Sequence, residues 1–148
     1  MEERNKLICA MLQTTNDLNS DYCDIYTEYF SQKIGQRIAY DNILNNLNNI
    51  DLMLKKEIAE LNKLLVSGSE AIQVIKVLTN YQNLLNSRII ALQSIVTKLR
   101  DKAEGIGGKY SFFAYSSDNK KLKKMEVENN MLGNTLQHIA VPFMRTYR

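Results

Sequence analysis

The chain has 148 residues, of which 45% are hydrophobic and 24% are charged, and its formal net charge is +3. This composition is that of an ordinary soluble chain and argues against an intrinsically disordered protein, and the length is that of a single domain. No run of about 18 apolar residues is present, so the sequence predicts no membrane-spanning helix.

Four segments of the chain repeat apolar residues at alternating spacings of three and four positions. They are residues 8–29, 40–65, 74–99 and 122–139. This heptad spacing places the apolar side chains on one face of a helix and is typical of helices that pack against other helices. The whole chain contains one proline and six glycines, so little interrupts helix formation. We therefore predict an all-α fold.

Short breaks between these segments predict how the helices are connected. Gly35 indicates a kink or a break after the first segment. The sequence Ser67-Gly68-Ser69 indicates a turn, with Ser67 or Ser69 as the N-cap of the next helix. Two apolar faces joined by so short a turn are expected to fold back as an antiparallel helical hairpin or coiled coil.

A glycine-rich stretch at 105–108 is expected to end the third helix, and an aromatic loop follows it. We expect three regions: a helical coiled-coil or hairpin region at 1–104, a glycine and aromatic connector at 105–117, and a basic C-terminal helix and tail at 118–148.

Two charged residues, Asp51 and Arg88, occupy heptad positions of the second and third segments that are otherwise apolar. A helix of 35 residues spans roughly 50 Å, and a hairpin of such helices leaves much of its apolar face uncovered. We therefore expect a partner to cover that face.

Large aromatic and apolar residues near the ends of the helices are the candidate partner-binding residues, because tyrosine and phenylalanine are common interface anchors. The candidates are Tyr22, Tyr26, Tyr29 and Phe30 in the first helix, Tyr110, Phe112, Phe113 and Tyr115 in the connector, and Leu132, Leu136 and Ile139 in the last helix. For the connector aromatics, capping of a core is an equally good interpretation.

The basic excess of the chain belongs to its C-terminal segment. We predict that this helix begins after an N-cap at Asp118 and ends at Pro142. Four lysines would then occupy its first turns, where they oppose the helix macrodipole. These lysines are candidate contacts for nucleic acid or another anionic surface, although a solvated helical turn is the simpler interpretation. They are Lys120, Lys121, Lys123 and Lys124.

The sequence contains no recognisable catalytic constellation. His138 is the single histidine, and no nucleophile or paired carboxylate lies near it. Cys9 and Cys23 fit no zinc spacing, and about 21 Å of helix separates them, so they cannot form a disulfide bond. We predict a non-enzymatic intracellular protein in a reducing compartment, with no catalytic, cofactor-binding or metal-binding residues.

Residues 124–141 read KMEVENNMLGNTLQHIAV. Here a charged helical segment runs into an Asn-x-x-Gln-like apolar stretch, formed by Asn134, Leu136, Gln137 and Ile139. The segment resembles the closing segment of the centromere protein H family of inner-kinetochore subunits. The Ser-Gly and tryptophan features of that family are absent, because 142–145 reads Pro-Phe-Met-Arg. The resemblance implies a helical coiled-coil partner subunit, a nuclear centromere location and no catalytic residues.

The length and layout are also similar to the stalk proteins of flagellar and type III secretion export, the FliJ and YscO group. That similarity is one of architecture, with no shared motif. The leading hypothesis is a coiled-coil subunit, scaffold or adaptor of a multiprotein assembly, which binds other helical subunits and associates with itself. The alternatives are an export stalk protein, or a module that binds nucleic acid or an anionic surface through the C-terminal lysines.

Overall fold

Four α-helices make up almost all of the residues that the structure describes. The computed structural model describes residues 2–31, 37–64, 66–106 and 109–148, and no strand occurs among them. The helices are α1 (Glu2–Ser31), α2 (Arg37–Asn62), α3 (Ser69–Glu104) and α4 (Phe112–Tyr147). The predicted all-α fold is confirmed. None of the described helices is long and apolar enough to cross a membrane.

Each helix runs antiparallel to the one before it. α1 packs on α2, α2 on α3 and α3 on α4, while α1 also contacts α3 and α4. In the α2–α3 pair, Arg100 lies against Asp41 and the side-chain amide of Gln93 donates to Asn48. Residue numbers thus rise along α3 as they fall along α2, which is the antiparallel arrangement. The predicted antiparallel hairpin is therefore confirmed, and two such hairpins combine into an up-down-up-down four-helix bundle.

The hydrophobic core fills both halves of the bundle. One half joins the C-terminal halves of α1 and α3 to the N-terminal halves of α2 and α4, with Tyr22, Leu47, Leu92 and Leu122 fully buried. The other half joins the opposite helix ends around Ile8 and Leu78. Complete burial of each such side chain stabilises the fold by roughly 1.5–3 kcal/mol relative to its exposure to water.

The heptad faces of the two hairpins cover each other. Every heptad position of α1 from Ile8 to Tyr29 is buried, as is every one of α3 from Val74 to Ile95. The expectation that the apolar face of the hairpin needs a partner to cover it is therefore wrong. A single hairpin would leave this face open to solvent, but in the bundle α1 and α4 cover the face that α2 and α3 leave open.

α4 begins earlier than the sequence predicted. Its N-cap is Ser111, whose hydroxyl accepts a hydrogen bond from the amide of Ala114 at 3.1 Å. This bond satisfies an amide that has no partner within the first turn of the helix. The connector between α3 and α4 therefore ends at Ser111 rather than at residue 117, and Asp118 lies inside the helix.

α4 also continues past Pro142 and ends at Tyr147, so the predicted stop at the proline is wrong. Proline removes one backbone hydrogen bond from a helix. Phe143, only 4% exposed, and Ala140 pack into the core on either side of it, and this packing maintains the helix.

The two ends of α3 are formed by glycines with positive φ. Gly68, with φ 99°, is the N-cap, so neither Ser67 nor Ser69 holds that position as predicted. Gly105, with φ 71°, is the C-cap, and its amide donates to the carbonyls of Asp101 and Lys102. The predicted end of the third helix is thus confirmed. The predicted break at Gly35, and the predicted positions of Leu65, Gly107 and Gly108, lie outside the described residues.

Candidate functional site

A buried ion pair lies at the centre of the bundle. Arg88 of α3 has no exposed surface, and its guanidinium contacts Glu126 of α4 through two bonds, Nε to Oε1 at 3.0 Å and Nη2 to Oε2 at 2.5 Å. Nη1 donates to the side-chain oxygen of Asn19 at 2.7 Å. The hydroxyl of Tyr22 donates to Glu126 at 3.0 Å, and its ring centroid lies 4.4 Å from the guanidinium carbon. The charge of Arg88 is thus satisfied by α1 and α4 together.

The electrostatics of this cluster favour the ion pair. Burial by itself lowers the pKa of Arg88, but the hydrogen bond and the charge of Glu126 outweigh burial and raise it. Burial also raises the pKa of Tyr22, and the negative charge of Glu126 raises it further. The arrangement has the geometry of a structural cluster that joins three helices in one register, a role attested for buried polar groups.

A second hydrogen-bonded cluster lies at the end of the bundle where α4 begins. The hydroxyl of Tyr29 donates to Asn119 at 2.9 Å and lies 3.3 Å from the hydroxyl of Tyr115. Close by, the hydroxyl of Tyr110 donates to Asp118 at 2.7 Å, and Asp118 also accepts from a lysine of α3. The two tyrosines of the predicted connector, Tyr110 and Tyr115, are therefore fixed against the bundle by polar bonds.

These bonds shift the titration of the groups involved. Burial, followed by the hydrogen bond to Asp118, raises the pKa of Tyr110. Burial and the neighbouring Tyr115 raise the pKa of Tyr29. The Tyr110 hydroxyl lowers the pKa of Asp118, and Lys98 adds to this effect. At neutral pH Asp118 is thus ionised, while Tyr29 and Tyr110 are neutral.

An apolar cavity of about 340 Å³ lies beside this cluster. Its volume is at the lower end of the range for small-molecule sites, about 300–1,000 Å³. It is lined by Tyr40, Leu99, Lys102, Ala103, Tyr110, Ser111, Phe112 and Tyr115. Phe112 and the neighbouring Phe113 are 75% and 85% exposed. This end of the bundle therefore presents both an apolar recess and protruding aromatic rings.

The predicted partner-binding residues fall into three groups by exposure. Tyr22, Tyr29, Tyr110 and Leu136 are buried in the chain's own core; Tyr26, Tyr115, Leu132 and Ile139 are half-buried; Phe30, Phe112 and Phe113 are exposed. The structure brings the connector aromatics to the end of α1 that holds Tyr29 and Phe30, whereas the three aliphatic candidates lie toward the opposite end. For Tyr110, the alternative interpretation of capping a core describes what the structure shows. Partner binding by any of these residues stays a prediction.

The four lysines are exposed on α4, but they do not occupy its first turn. The first of them, Lys120, lies nine residues after the N-cap Ser111. The macrodipole acts mainly within the first turn of a helix, so the predicted conflict between the lysines and the dipole does not arise.

The remaining singled-out residues lie apart from one another. His138 is exposed on α4, Cys23 is half-buried and Cys9 is buried, and both thiols are free. Burial raises the pKa of Cys9. In the described parts of the chain, no group of three or more histidine, cysteine, aspartate or glutamate side chains is arranged to hold a metal ion.

Sequence reasoning noted Arg88 but missed its partners, Glu126 and Asn19. A signal was available, because an arginine at a heptad core position requires a buried acceptor. What the sequence does not indicate is which of the sixteen acidic residues supplies it.

Comparison with protein families, with curated proteins and with solved structures found no match. Within residues 134–139 of α4, Leu136 is buried and Ile139 half-buried, while Asn134 and Gln137 are exposed. The two apolar positions of that stretch therefore face the bundle, and the two polar positions face solvent.

Proposed function

We propose that this protein is a non-enzymatic subunit or adaptor of a multiprotein assembly. It binds another protein through the aromatic end, which we define as Phe30, Ile106, Phe112 and Phe113. The observation that supports this most strongly is the 75% and 85% exposure of Phe112 and Phe113 in a chain that covers its heptad faces internally. Exposed apolar patches of this kind mark interaction sites.

The topology of the bundle supports a continuous surface at this end. α1 and α3 finish where α4 starts, so Phe30 and Ile106, 54% and 60% exposed, lie at the same end as the two phenylalanines. The apolar cavity opens beside Phe112. Burial of a phenylalanine side chain on binding is worth roughly 1.5–3 kcal/mol, so two rings and a recess suffice as an anchor.

Two more specific proposals concern the assembly. The resemblance of residues 124–141 supports an inner-kinetochore subunit of the centromere protein H kind, located in the nucleus, with a second helical subunit as its partner. The hairpin architecture supports instead an export stalk protein of the FliJ and YscO kind, located in the cytoplasm.

Affinity capture from the native source, with bound proteins identified by mass spectrometry, tests the proposal. The variant Phe112→Ser/Phe113→Ser should capture at least ten-fold less of a partner than the wild-type chain does. The matched control Leu52→Ser/Met53→Ser removes two side chains of α2 that are 68% and 58% exposed, and it should retain the partner. Equal capture by both variants, or no specific partner for the wild-type chain, would contradict the proposal. Centromere subunits or secretion components among the partners would decide between the two assemblies.

A second candidate function, binding of nucleic acid or an anionic surface, is favoured by the four exposed lysines of α4. No ion pair within the described residues includes any of them. If phosphate is the ligand, the logarithm of the affinity should fall steeply with the logarithm of the salt concentration. Replacement of Lys120, Lys121, Lys123 and Lys124 by glutamine should then abolish binding, and unchanged binding would remove this candidate.

A further inference from the structure

α4 has a second heptad face, which points away from the bundle. We define the outer stripe of α4 by Phe113, Lys120, Lys124, Val127, Met131 and Val141, all of which are exposed. Their spacings are sums of alternating steps of three and four residues, so they lie on one side of the helix. Val127 and Met131 lie one turn apart and are 55% and 67% exposed.

The fold does not need this stripe. The inner face of α4 packs into the bundle through Leu122, Asn129, Leu136 and Phe143, which recur every seven residues and are all buried. A helix with apolar residues on both its inner and outer faces contains more apolar surface than its own fold buries.

The outer stripe is also strongly basic. Lys120 and Lys124 lie on it and Lys121 and Lys123 flank it, outside any ion pair of the described residues. The nearby acids are already engaged, since Glu126 binds Arg88 and Asp118 accepts from Tyr110 and Lys98. Glu128 is the exposed carboxylate that remains in this part of α4.

We propose that the outer stripe of α4 binds an acidic amphipathic helix of a partner protein. This inference rests on the proposed function and names the chemistry of its partner. Apolar residues of the partner helix pack on Val127 and Met131. Its acidic residues lie opposite Lys124 and Lys120, which are about 4 Å and about 10 Å from Val127 along the helix axis. Charge complementarity of this kind determines orientation and speeds association.

A second copy of this chain fits the stripe less well. Its longest run of acidic surface residues is on α1, at Asp17, Asp21, Asp24 and Glu28, and the exposed residues around it are small and polar, such as Ser20 and Thr27. That surface offers charges but no large apolar side chain to cover Val127 and Met131. Surface ion pairs alone contribute too little to offset the entropy that association costs.

The alternation of charge and apolar residues along the stripe also disfavours the other anionic partners. A membrane-surface helix needs a continuous apolar face, but two lysines separate Phe113 from Val127 on this one. Nucleic acid would pair with the lysines but would leave Val127 and Met131 against phosphate and water.

A display library tests the inference. Helical peptides of about 28 residues, long enough to span the stripe at 1.5 Å per residue, are randomised on one face and selected on the full chain. The selected peptides should be acidic, with large apolar residues at heptad spacing. Neutral or basic selected peptides, or no selection above background, would overturn the inference.

Variants then locate the binding surface. Lys120→Glu/Lys124→Glu and Val127→Gln/Met131→Gln should each weaken binding of the best selected peptide at least ten-fold. The control Lys56→Glu/Lys76→Glu makes the same change of charge at exposed lysines of α2 and α3 and should change affinity less than two-fold. All replaced side chains are exposed, so circular dichroism should show an unchanged fold for each variant. Equal effects of the charge variant and its control would overturn the inference.

Three further measurements use the same proteins. Binding of double-stranded DNA, or of vesicles of phosphatidylcholine and phosphatidylserine, more tightly than the best peptide would overturn the inference. So would sedimentation of the wild-type chain as an oligomer that Lys120→Glu/Lys124→Glu dissociates. If capture of a native partner is lost in Phe112→Ser/Phe113→Ser but unchanged in Lys120→Glu/Lys124→Glu and in Val127→Gln/Met131→Gln, the inference fails while the proposed function stands. If peptides bind the stripe but no native partner is found, the proposed function fails instead.

Discussion

The guanidinium of Arg88 and the carboxylate of Glu126 form a bidentate ion pair between α3 and α4, in which Arg88 is fully buried and the Glu126 side chain is 18% exposed. The pair lies among fully buried apolar residues such as Leu85, Ile89 and Leu122. Removal of either partner would leave a charge in an apolar environment, so the pair makes the register of α3 against α4 specific.

Replacement of Glu126 by glutamine should therefore destabilise the bundle strongly. It leaves the guanidinium of Arg88 buried without its counter-charge, which typically costs about 3–5 kcal/mol. Urea unfolding followed by circular dichroism measures the change. The control Arg100→Met removes a partly exposed pair with Asp41, in which the atoms are 3.5 Å apart. That change should cost no more than about 1 kcal/mol. Equal losses for the two variants would contradict the structural role of the buried pair.

Joint replacement of both partners by apolar residues should restore most of that stability. The variant Arg88→Met/Glu126→Leu removes both charges, and such replacements are often neutral or stabilising by about 1–4 kcal/mol. A double-mutant cycle on the same urea curves, with the single variants as reference, gives the coupling energy. A double variant as unstable as Glu126→Gln would show that the pair also satisfies groups that apolar residues cannot replace, such as Asn19 and Tyr22.

Gly133 and Gly105 should respond in opposite directions to replacement by alanine. Gly133 lies inside α4, and a Cβ there would meet a ring carbon of Tyr81 at 3.6 Å, an ordinary van der Waals contact. Gly133→Ala should therefore stabilise by about 0.5–1 kcal/mol, because alanine loses less backbone entropy in a helix. Gly105 has φ 71°, where a side chain is strained, so Gly105→Ala should destabilise by about 1 kcal/mol. Thermal unfolding of the two variants gives the sign of each change in stability. A loss of stability in Gly133→Ala would contradict the packing between α3 and α4.

The fold should lose stability at alkaline pH. Burial raises the pKa of Tyr22, Tyr29 and Tyr110 above the value of about 10 that tyrosine has in an unfolded chain. The stability linked to these groups is therefore complete below pH of about 10 and is lost as pH rises toward their folded-state pKa values. Ultraviolet titration of tyrosinate, followed in parallel with circular dichroism, should show these tyrosines ionising together with unfolding. Complete ionisation of all eight tyrosines in a chain that remains helical would contradict their burial.

Replacement of Pro142 by alanine should stabilise α4. Proline inside a helix removes one backbone hydrogen bond, at a cost of up to about 3 kcal/mol in a helix interior. Since Pro142 lies five residues before the end of α4 and is exposed, we expect a gain of about 1 kcal/mol in urea unfolding. A loss of stability would mean that the proline determines the position of Phe143 in the core.

Apolar spacing predicts the positions of the helices correctly, whereas the capping and helix-breaking preferences of single residues misplace both ends of α4. Asp118 and Pro142 were expected to bound the last helix, yet Ser111 caps it and the packing of Phe143 extends it. Local capping preferences contribute about 1 kcal/mol each, whereas burial of one large side chain contributes roughly 1.5–3 kcal/mol. Packing of Phe143 therefore overrides the local signal of Pro142 at the C-terminal end of α4, whereas at its N-terminal end one local cap, Ser111, takes the place expected for another, Asp118.

For the candidate site, the sequence identified the residue types but not their surroundings. Phe112 and Tyr110 are two residues apart in an aromatic stretch, yet one is 75% exposed and the other 6%. Nothing in the local sequence distinguishes them, because the difference arises from Asp118 and Lys98, which bind and cover Tyr110. The outer stripe of α4 is likewise identified only by the tertiary structure, because burial of the inner face of the same helix shows which face is left exposed.

The sequence by itself determined that the chain is helical, that its helices have apolar heptad faces and that α2 and α3 form an antiparallel hairpin. These properties depend on spacing within a helix and on short connections, both of which are local. Only the tertiary structure decided that two hairpins cover each other, that Arg88 pairs with Glu126, and that Phe112, Phe113 and the outer stripe of α4 are left exposed. A heptad pattern shows that a face must be buried but not which helix buries it, because apolar packing is non-directional and many helices satisfy it equally well.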